Sequence, residues 1–161
     1  MDRDIRTHVI ALLESSQERE RKIALLHYEL DRVARTSGKE MIEAMALGHG
    51  DGGGHTDGHV SDKTLYIALN YQEKADKMNA DTKEEIVVQL VELEREQKQL
   101  DYYISLLNVR QARVIKLLYK QNLPQGKVEK AMGLSAKTIR KLKNEALDAL
   151  TEMYEFVADM S

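Results

Sequence analysis

Within twelve residues near the C-terminal end stand Gly133, Ser135, Lys137, Arg140, Lys141 and Asn144. Ammonium and guanidinium groups displace counterions from phosphates, Arg or Lys can reach guanine acceptors, and Asn can pair with adenine. The chemistry on offer is that of gripping and reading a nucleic-acid duplex. Ser135 and the amides after it could also hold a phosphate oxygen. Upstream, Arg110, Arg113, Lys116 and Lys127 extend the charge. Residues 108–147 carry ten Lys/Arg against Glu129 and Glu145, a net +8, while the rest of the chain sums to −11 and the whole to −3. Such asymmetry fits a nucleic-acid-binding module joined to an acidic scaffold. A solvated face of an ordinary three-helix unit is the plain alternative, and the Gly-x-Ser turn tips the balance toward binding. Tyr119 is the lone aromatic of the basic stretch, so no stacking platform for RNA bases is present and duplex DNA is the expected partner.

Other chemistries are weaker. His49, His55 and His59 share one stretch with Asp51 and Asp57, and His55-x-x-x-His59 has a spacing used for zinc or nickel. Its glycine-rich backbone would have to be ordered by the metal, so a flexible linker with no metal and no cofactor is expected. No Gly-x-Ser-x-Gly, P-loop or His-Glu-x-x-His pattern occurs, and Asp101 beside Tyr102 and Tyr103 reads as a bundle rim. No enzyme is expected. The absence of cysteine excludes disulfides and thiolate zinc sites. Neither a signal-peptide core nor an apolar run of membrane-spanning length is present, so a cytoplasmic protein without membrane contact is expected.

The elements that must position these residues read as helices throughout. Pro124 is the single proline, and six of nine glycines fall between Gly48 and Gly58. Ile5, Val9, Leu12, Ile23, Leu26, Leu30 and Val33 keep 3-and-4 spacing, with Ser16 and Arg19 interrupting the seam. One long amphipathic helix with a weak middle is expected there. After the glycines, Ser61 or Asp62 starts a helix through Leu65, Ala68, Leu69, Tyr71 and Ala75. A break near Asp81, which has capping-box spacing to Glu84, opens another. Ile86, Leu90, Leu93, Gln97, Leu100, Ile104 and Leu107 then step by 4, 3, 4, 3, 4, 3, with Gln97 the one polar position. Gln97 either sets the register of an oligomer or lies at the edge of an intramolecular bundle.

Val109, Ala112, Ile115 and Leu118 or Tyr119 share one face of a helix expected to end near Asn122, ahead of Pro124. A short helix from about Gln125 to Met132 follows, closed by Gly133. Ser135 caps a third helix whose buried stripe is Ile139, Leu142, Ala146 and Leu150. A short helix, a glycine turn and a helix with a basic leading face form the helix-turn-helix pattern, in which the second helix enters the major groove.

The stretch "ARVIKLLYKQNLPQGKVEKAMGLSAKTIRKLKNEALDAL" resembles the region 4 helix-turn-helix of sigma factors, anchored on "MGLS", Thr138-Ile139 and Ala146-Leu147. With "SDKTLYIALNYQEK" and the long acidic helix, it is also similar to phage-encoded transcriptional regulators of the ArpU/RinA type. That resemblance implies an activator of phage or mobile-element genes, with Ser135, Ala136, Lys137, Thr138, Arg140, Lys141 and Asn144 at DNA and RNA polymerase as a further partner. Two positions depart from the sigma pattern. Glu129 stands where a small residue usually packs between the two helices, and Ala136, Lys137 and Lys141 differ from the side chains that read promoter bases. No promoter sequence is carried over. No counterpart of the promoter-melting region is evident, so a self-sufficient sigma factor is not expected.

The expected architecture is all-α, a long helical hairpin or coiled-coil scaffold plus a C-terminal helix-turn-helix. Residues 1–47 form an amphipathic helical segment, 48–60 a Gly/His linker, 61–107 an acidic helical scaffold and 108–161 the DNA-binding domain. A homodimer through the scaffold is expected. The rival reading is a DNA-packaging subunit of the small-terminase type that grips duplex without sequence preference.

Overall fold

The computed structural model describes residues 2–47 and 62–161, with side chains over 2–33 and 79–161. The His49, His55 and His59 constellation lies outside the residues described, and the stripe from Leu65 to Ala75 outside those whose side chains are described. Among the described residues there are six α-helices and no strand: α1 Arg3–Glu14, α2 Ser16–Leu47, α3 Asp62–Ser105, α4 Val109–Ile115, α5 Gln125–Met132 and α6 Ala136–Ala158. A π-helical turn, Lys116–Lys120, extends α4. The protein is all-α, as the scarcity of helix breakers outside residues 48–58 allows. Among the described residues no helix is long and apolar enough to cross a membrane.

The chain divides into two compact units, residues 1–23 with 93–161, and residues 24–92. In the second, Val33, Ile86 and Leu90 are buried. In the first, Val9, Leu12 and Leu13 of α1 share a core with Leu100, Ile104, Leu107, Ile115, Ala146, Leu147 and Leu150. This partition differs from the expected boundaries. Helix α1 belongs with the C-terminal helices, because its apolar stripe finds its partners on α3, α4 and α6.

Three local expectations are corrected. The long N-terminal helix is two helices, broken at Ser15, whose N–H bonds Ala11 O at 3.0 Å and whose hydroxyl bonds the same carbonyl at 2.8 Å. No break occurs at Asp81. Neither glycine nor proline stands there, and a carboxylate costs a helix interior only a few tenths of a kcal/mol (~0.5). Val109 is 84% exposed, because Asn108 caps α4 through Gln111 N at 2.8 Å and the first helical position faces outward. Ile115 is buried as expected, and Val114 and Leu117 turn inward with it.

The interruptions at Ser16, Arg19 and Gln97 meet in one place. All three are buried, Arg19 at 4% exposure. Gln97 Nε2 donates to Ser16 Oγ at 3.1 Å, while Arg19 donates to Gln97 Oε1 at 3.2 Å and, with both terminal nitrogens, to Leu12 O at 3.0 and 2.8 Å. The two bonds to Leu12 O satisfy a carbonyl that the end of α1 leaves without an intrahelical donor. Glu96 lies 3.6 Å from Arg19 Nε. Gln97 also reaches Glu20 and Asp101, and both carboxylates hold Lys120 Nζ, at 2.7 and 2.6 Å. Gln97 therefore finds its partners within its own chain, and its seam is an intramolecular one. Arg19→Met is expected to lower stability by about 2–3 kcal/mol, since it leaves Gln97 Oε1 and the Leu12 carbonyl with only long hydroxyl bonds, from Ser16 at 3.5 Å and Ser15 at 3.3 Å. Arg19→Lys should recover little of this, because an ammonium cannot reproduce the fork. Urea denaturation of both variants checks it, and a midpoint unmoved in Arg19→Met would show that the network contributes nothing to stability.

Candidate nucleic-acid interface

The helix-turn-helix has a small core of its own. Val114, Leu117, Val128 and Ile139 are buried together, with Leu118, Leu123, Met132, Leu134 and Leu142 packed on them. Before α5 the chain turns at Asn122, in left-handed backbone at φ 52°, and Leu123 N–H bonds Leu117 O at 3.0 Å. Pro124 caps α5 with extended backbone. Its missing N–H costs nothing there, where no helical partner exists for it.

The turn between α5 and α6 follows the chemistry of its residues. Gly133 adopts φ 65°, ψ 33°, and its N–H and that of Leu134 both donate to Glu129 O, at 2.8 and 3.2 Å. A left-handed glycine closing the helix in this way satisfies the last carbonyls without Cβ strain. Glu129 thus joins the turn through its backbone. Leu134 anchors the turn in the small core. Ser135 then caps α6: its Oγ accepts from Thr138 N–H at 3.3 Å and lies 2.9 Å from Thr138 Oγ1. Gln125 Nε2 reaches Ala136 O at 3.5 Å, tying the start of α5 to the start of α6. No local pattern of residues announces that tie.

Along α6 the two faces separate by helical spacing. Ile139, Ala146 and Leu150 are buried and Leu142 is half-buried, as the stripe predicts, and Leu147, which the stripe did not include, is buried with them. Lys137, Arg140, Lys141 and Asn144 lie off that stripe, and Ala136 and Thr138 stand at the leading turn. Arg140 Nε leans back on Ala136 O at 3.4 Å. Arg110, Arg113, Lys116 and Lys127 are exposed on α4, its π-turn and α5, and Arg113 reaches Ala131 O at 3.5 Å. None of these seven cationic side chains makes a salt bridge with another described residue. Cations held in no salt bridge keep their full charge for a polyanion.

Two of the ten cations of the basic stretch serve the fold instead. Lys120 is held by Glu20 and Asp101 and is 19% exposed. Lys143 lies over the Tyr119 ring at 6.0 Å. Tyr119 is itself half-buried. Burial, with Glu14 nearby, pushes its phenol above the ordinary range against a smaller opposing effect of Arg6, so it stays neutral. It packs on the main core rather than offering a ring for stacking.

A capped short helix, a left-handed glycine and a capped second helix with a basic leading face define a helix-turn-helix module of the DNA-binding class. Residues 103–152 match the family model of Sigma-70, region 4. The match starts inside α3 and ends in α6, so α1, α2 and most of α3 lie outside it. No curated protein and no solved structure matches the chain.

Proposed function

We propose that the protein is a sequence-specific, cytoplasmic DNA-binding regulator of transcription, an activator belonging to a phage or mobile element. The supporting observation is the set of Lys137, Arg140, Lys141 and Asn144 side chains, held in no salt bridge with a described residue, on the leading turns of a helix fixed by the Gly133 turn and the Ser135 cap. In this reading residues 136–144 enter the major groove. Ser135, Ala136 and Thr138 sit at the groove's edge, and the first amides of α6 meet a phosphate oxygen. Arg110, Arg113, Lys116 and Lys127 hold backbone phosphates, which fix register without reading sequence. RNA polymerase is the further partner, and the chain acts as a dimer. No catalytic step is part of this function.

The test is selection of bound duplexes from a pool of short genomic fragments, with affinity measured at two salt concentrations. Enrichment of one motif, with affinity falling steeply as salt rises, is the expected result. Salt-sensitive binding without enrichment would replace this reading with that of a packaging or architectural protein. No binding would reduce the basic face to a solvated surface.

A further inference from the structure

Helices α1, α3 and α6 border a cleft of about 350 Å³ away from the basic face. His8 and Leu12 line it from α1, Arg95, Glu96 and Gln99 from α3, and Tyr154 from α6, all within one compact unit. Its volume falls in the range of small-molecule sites, roughly 300–1,000 Å³. One wall carries an anomaly. Among the described residues, the Tyr154 hydroxyl is the one buried side-chain oxygen or nitrogen without a hydrogen-bond partner. Leaving such a group unsatisfied is costly, and packing alone would be served by a phenylalanine. Burial, and then the Tyr103 phenol, push the Tyr154 pKa up to about 12, with Glu96 and Asp101 adding to this and Arg19 opposing it. The hydroxyl therefore stays a donor, and Glu96, one of the groups acting on it, is itself a wall of the cleft.

The other walls also hold unused polar groups. Arg95 is exposed and makes no salt bridge with another described residue. Gln99 Nε2 donates to the Tyr103 hydroxyl at 3.0 Å, which commits its amide nitrogen and leaves Oε1 as an acceptor. Glu96 already has a counter-ion, Arg19 Nε at 3.6 Å. The His8 ring stands edge-on to Tyr154, with centroids 6.4 Å apart.

We propose that this cleft binds a small organic monocarboxylate with an apolar body. Arg95 takes the carboxylate in its fork, the Tyr154 hydroxyl donates to a ligand oxygen, and Leu12 with the Tyr154 ring receives the apolar part. A planar guanidinium matches a carboxylate through two parallel bonds. A phosphate dianion would bring twice the charge up to Glu96, so the singly charged acid is favoured. A neutral molecule would leave Arg95 unengaged.

The site stands apart from the DNA-binding reading, and calorimetry on the full chain without DNA tests it alone. The probes are benzoate, 4-hydroxybenzoate and hexanoate, with benzamide and inorganic phosphate for comparison. At least one of the acids is expected to bind, to raise the thermal midpoint, and to exceed benzamide and phosphate in affinity by more than about tenfold. Arg95→Gln and Tyr154→Phe should each weaken that acid by more than about fivefold. Tyr154→Phe also has a readout without ligand. Since the hydroxyl makes no bond in the free protein, its removal should leave the urea midpoint unchanged or raise it. A merely structural tyrosine would do the opposite, losing stability while affinity stayed the same. Failure of every acid to bind, equal binding of benzamide or phosphate, or affinity indifferent to both substitutions would overturn the proposal. So would a Tyr154→Phe protein less stable than the unaltered one, which would mean that water already satisfies the hydroxyl.

Discussion

Deleting residues 1–23 is expected to unfold the helix-turn-helix. Val9 and Leu13 are fully buried and Leu12 nearly so, in the same core as Ile115, Leu147 and Leu150. Each such side chain contributes about 1.5–3 kcal/mol by burial. Removing three therefore approaches the whole stability of an ordinary domain, about 5–15 kcal/mol. The deletion also removes Ser16, Arg19 and Glu20, leaving Gln97 and Lys120 without those partners. Circular dichroism during urea titration of residues 24–161 should show a broad transition at low denaturant, with DNA affinity lost in parallel. Leu13→Ala, a milder cut, should cost about 3 kcal/mol while leaving the native state populated. If the shortened chain unfolded cooperatively at the full chain's midpoint, the packing of α1 would have no energetic weight.

The second large effect concerns reading rather than folding. Lys137→Ala or Lys141→Ala should erode preference for the selected site by about 1–3 kcal/mol while sparing non-specific binding, because each removes a group placed to reach base edges. Lys116→Ala, which removes a phosphate contact, should weaken all sequences alike and lower the salt slope by about one. Anisotropy titrations against the selected duplex and a scrambled one, each at two salt concentrations, separate the two behaviours. Uniform losses at all three positions would mean that α6 lies along the backbone and does not enter the groove.

What could be read from the residues alone depended on how local the signal was. The interval from Pro124 to Ser135 was legible almost to the residue, because a missing N–H, a left-handed glycine and a capping hydroxyl each act within one turn of the chain. The buried stripe of α6 was legible for the same reason, as was the separation of its basic face. Val109 went the other way: periodicity assigns it inward, but the first residue after a cap is placed by the cap and not by the stripe. Asp81 carried a capping signal that a helix with no other reason to stop simply ran through.

Longer-range facts were present as anomalies without an address. Ser16, Arg19 and Gln97 each stood out as a polar residue in an apolar seam, yet nothing in either seam says that the two gaps fill one another. That requires α1, α2 and α3 to be brought together, which is a property of the packed chain. The allegiance of α1 to the C-terminal helices was hidden in the same way, since an apolar stripe states that it will be buried and not against what. The total of +8 also overstated the free charge, because the pairing of Lys120 with Glu20 and Asp101 joins residues far apart in sequence.

The core that joins α1 to α6 has a consequence for the birth of the chain. Val9, Leu12 and Leu13 leave the ribosome well before Ala146, Leu147 and Leu150. Until those later residues emerge, the first helix has an apolar face and only part of the surface it closes on. The domain must then assemble by contacts between α1 and α6, whose core members Leu13 and Leu147 lie more than a hundred and thirty positions apart in the sequence. Contacts of that kind slow folding and lengthen exposure to aggregation. A truncated product released early would carry that face uncovered, so incomplete chains should be recognisable to chaperones and proteases by the helix Arg3–Glu14.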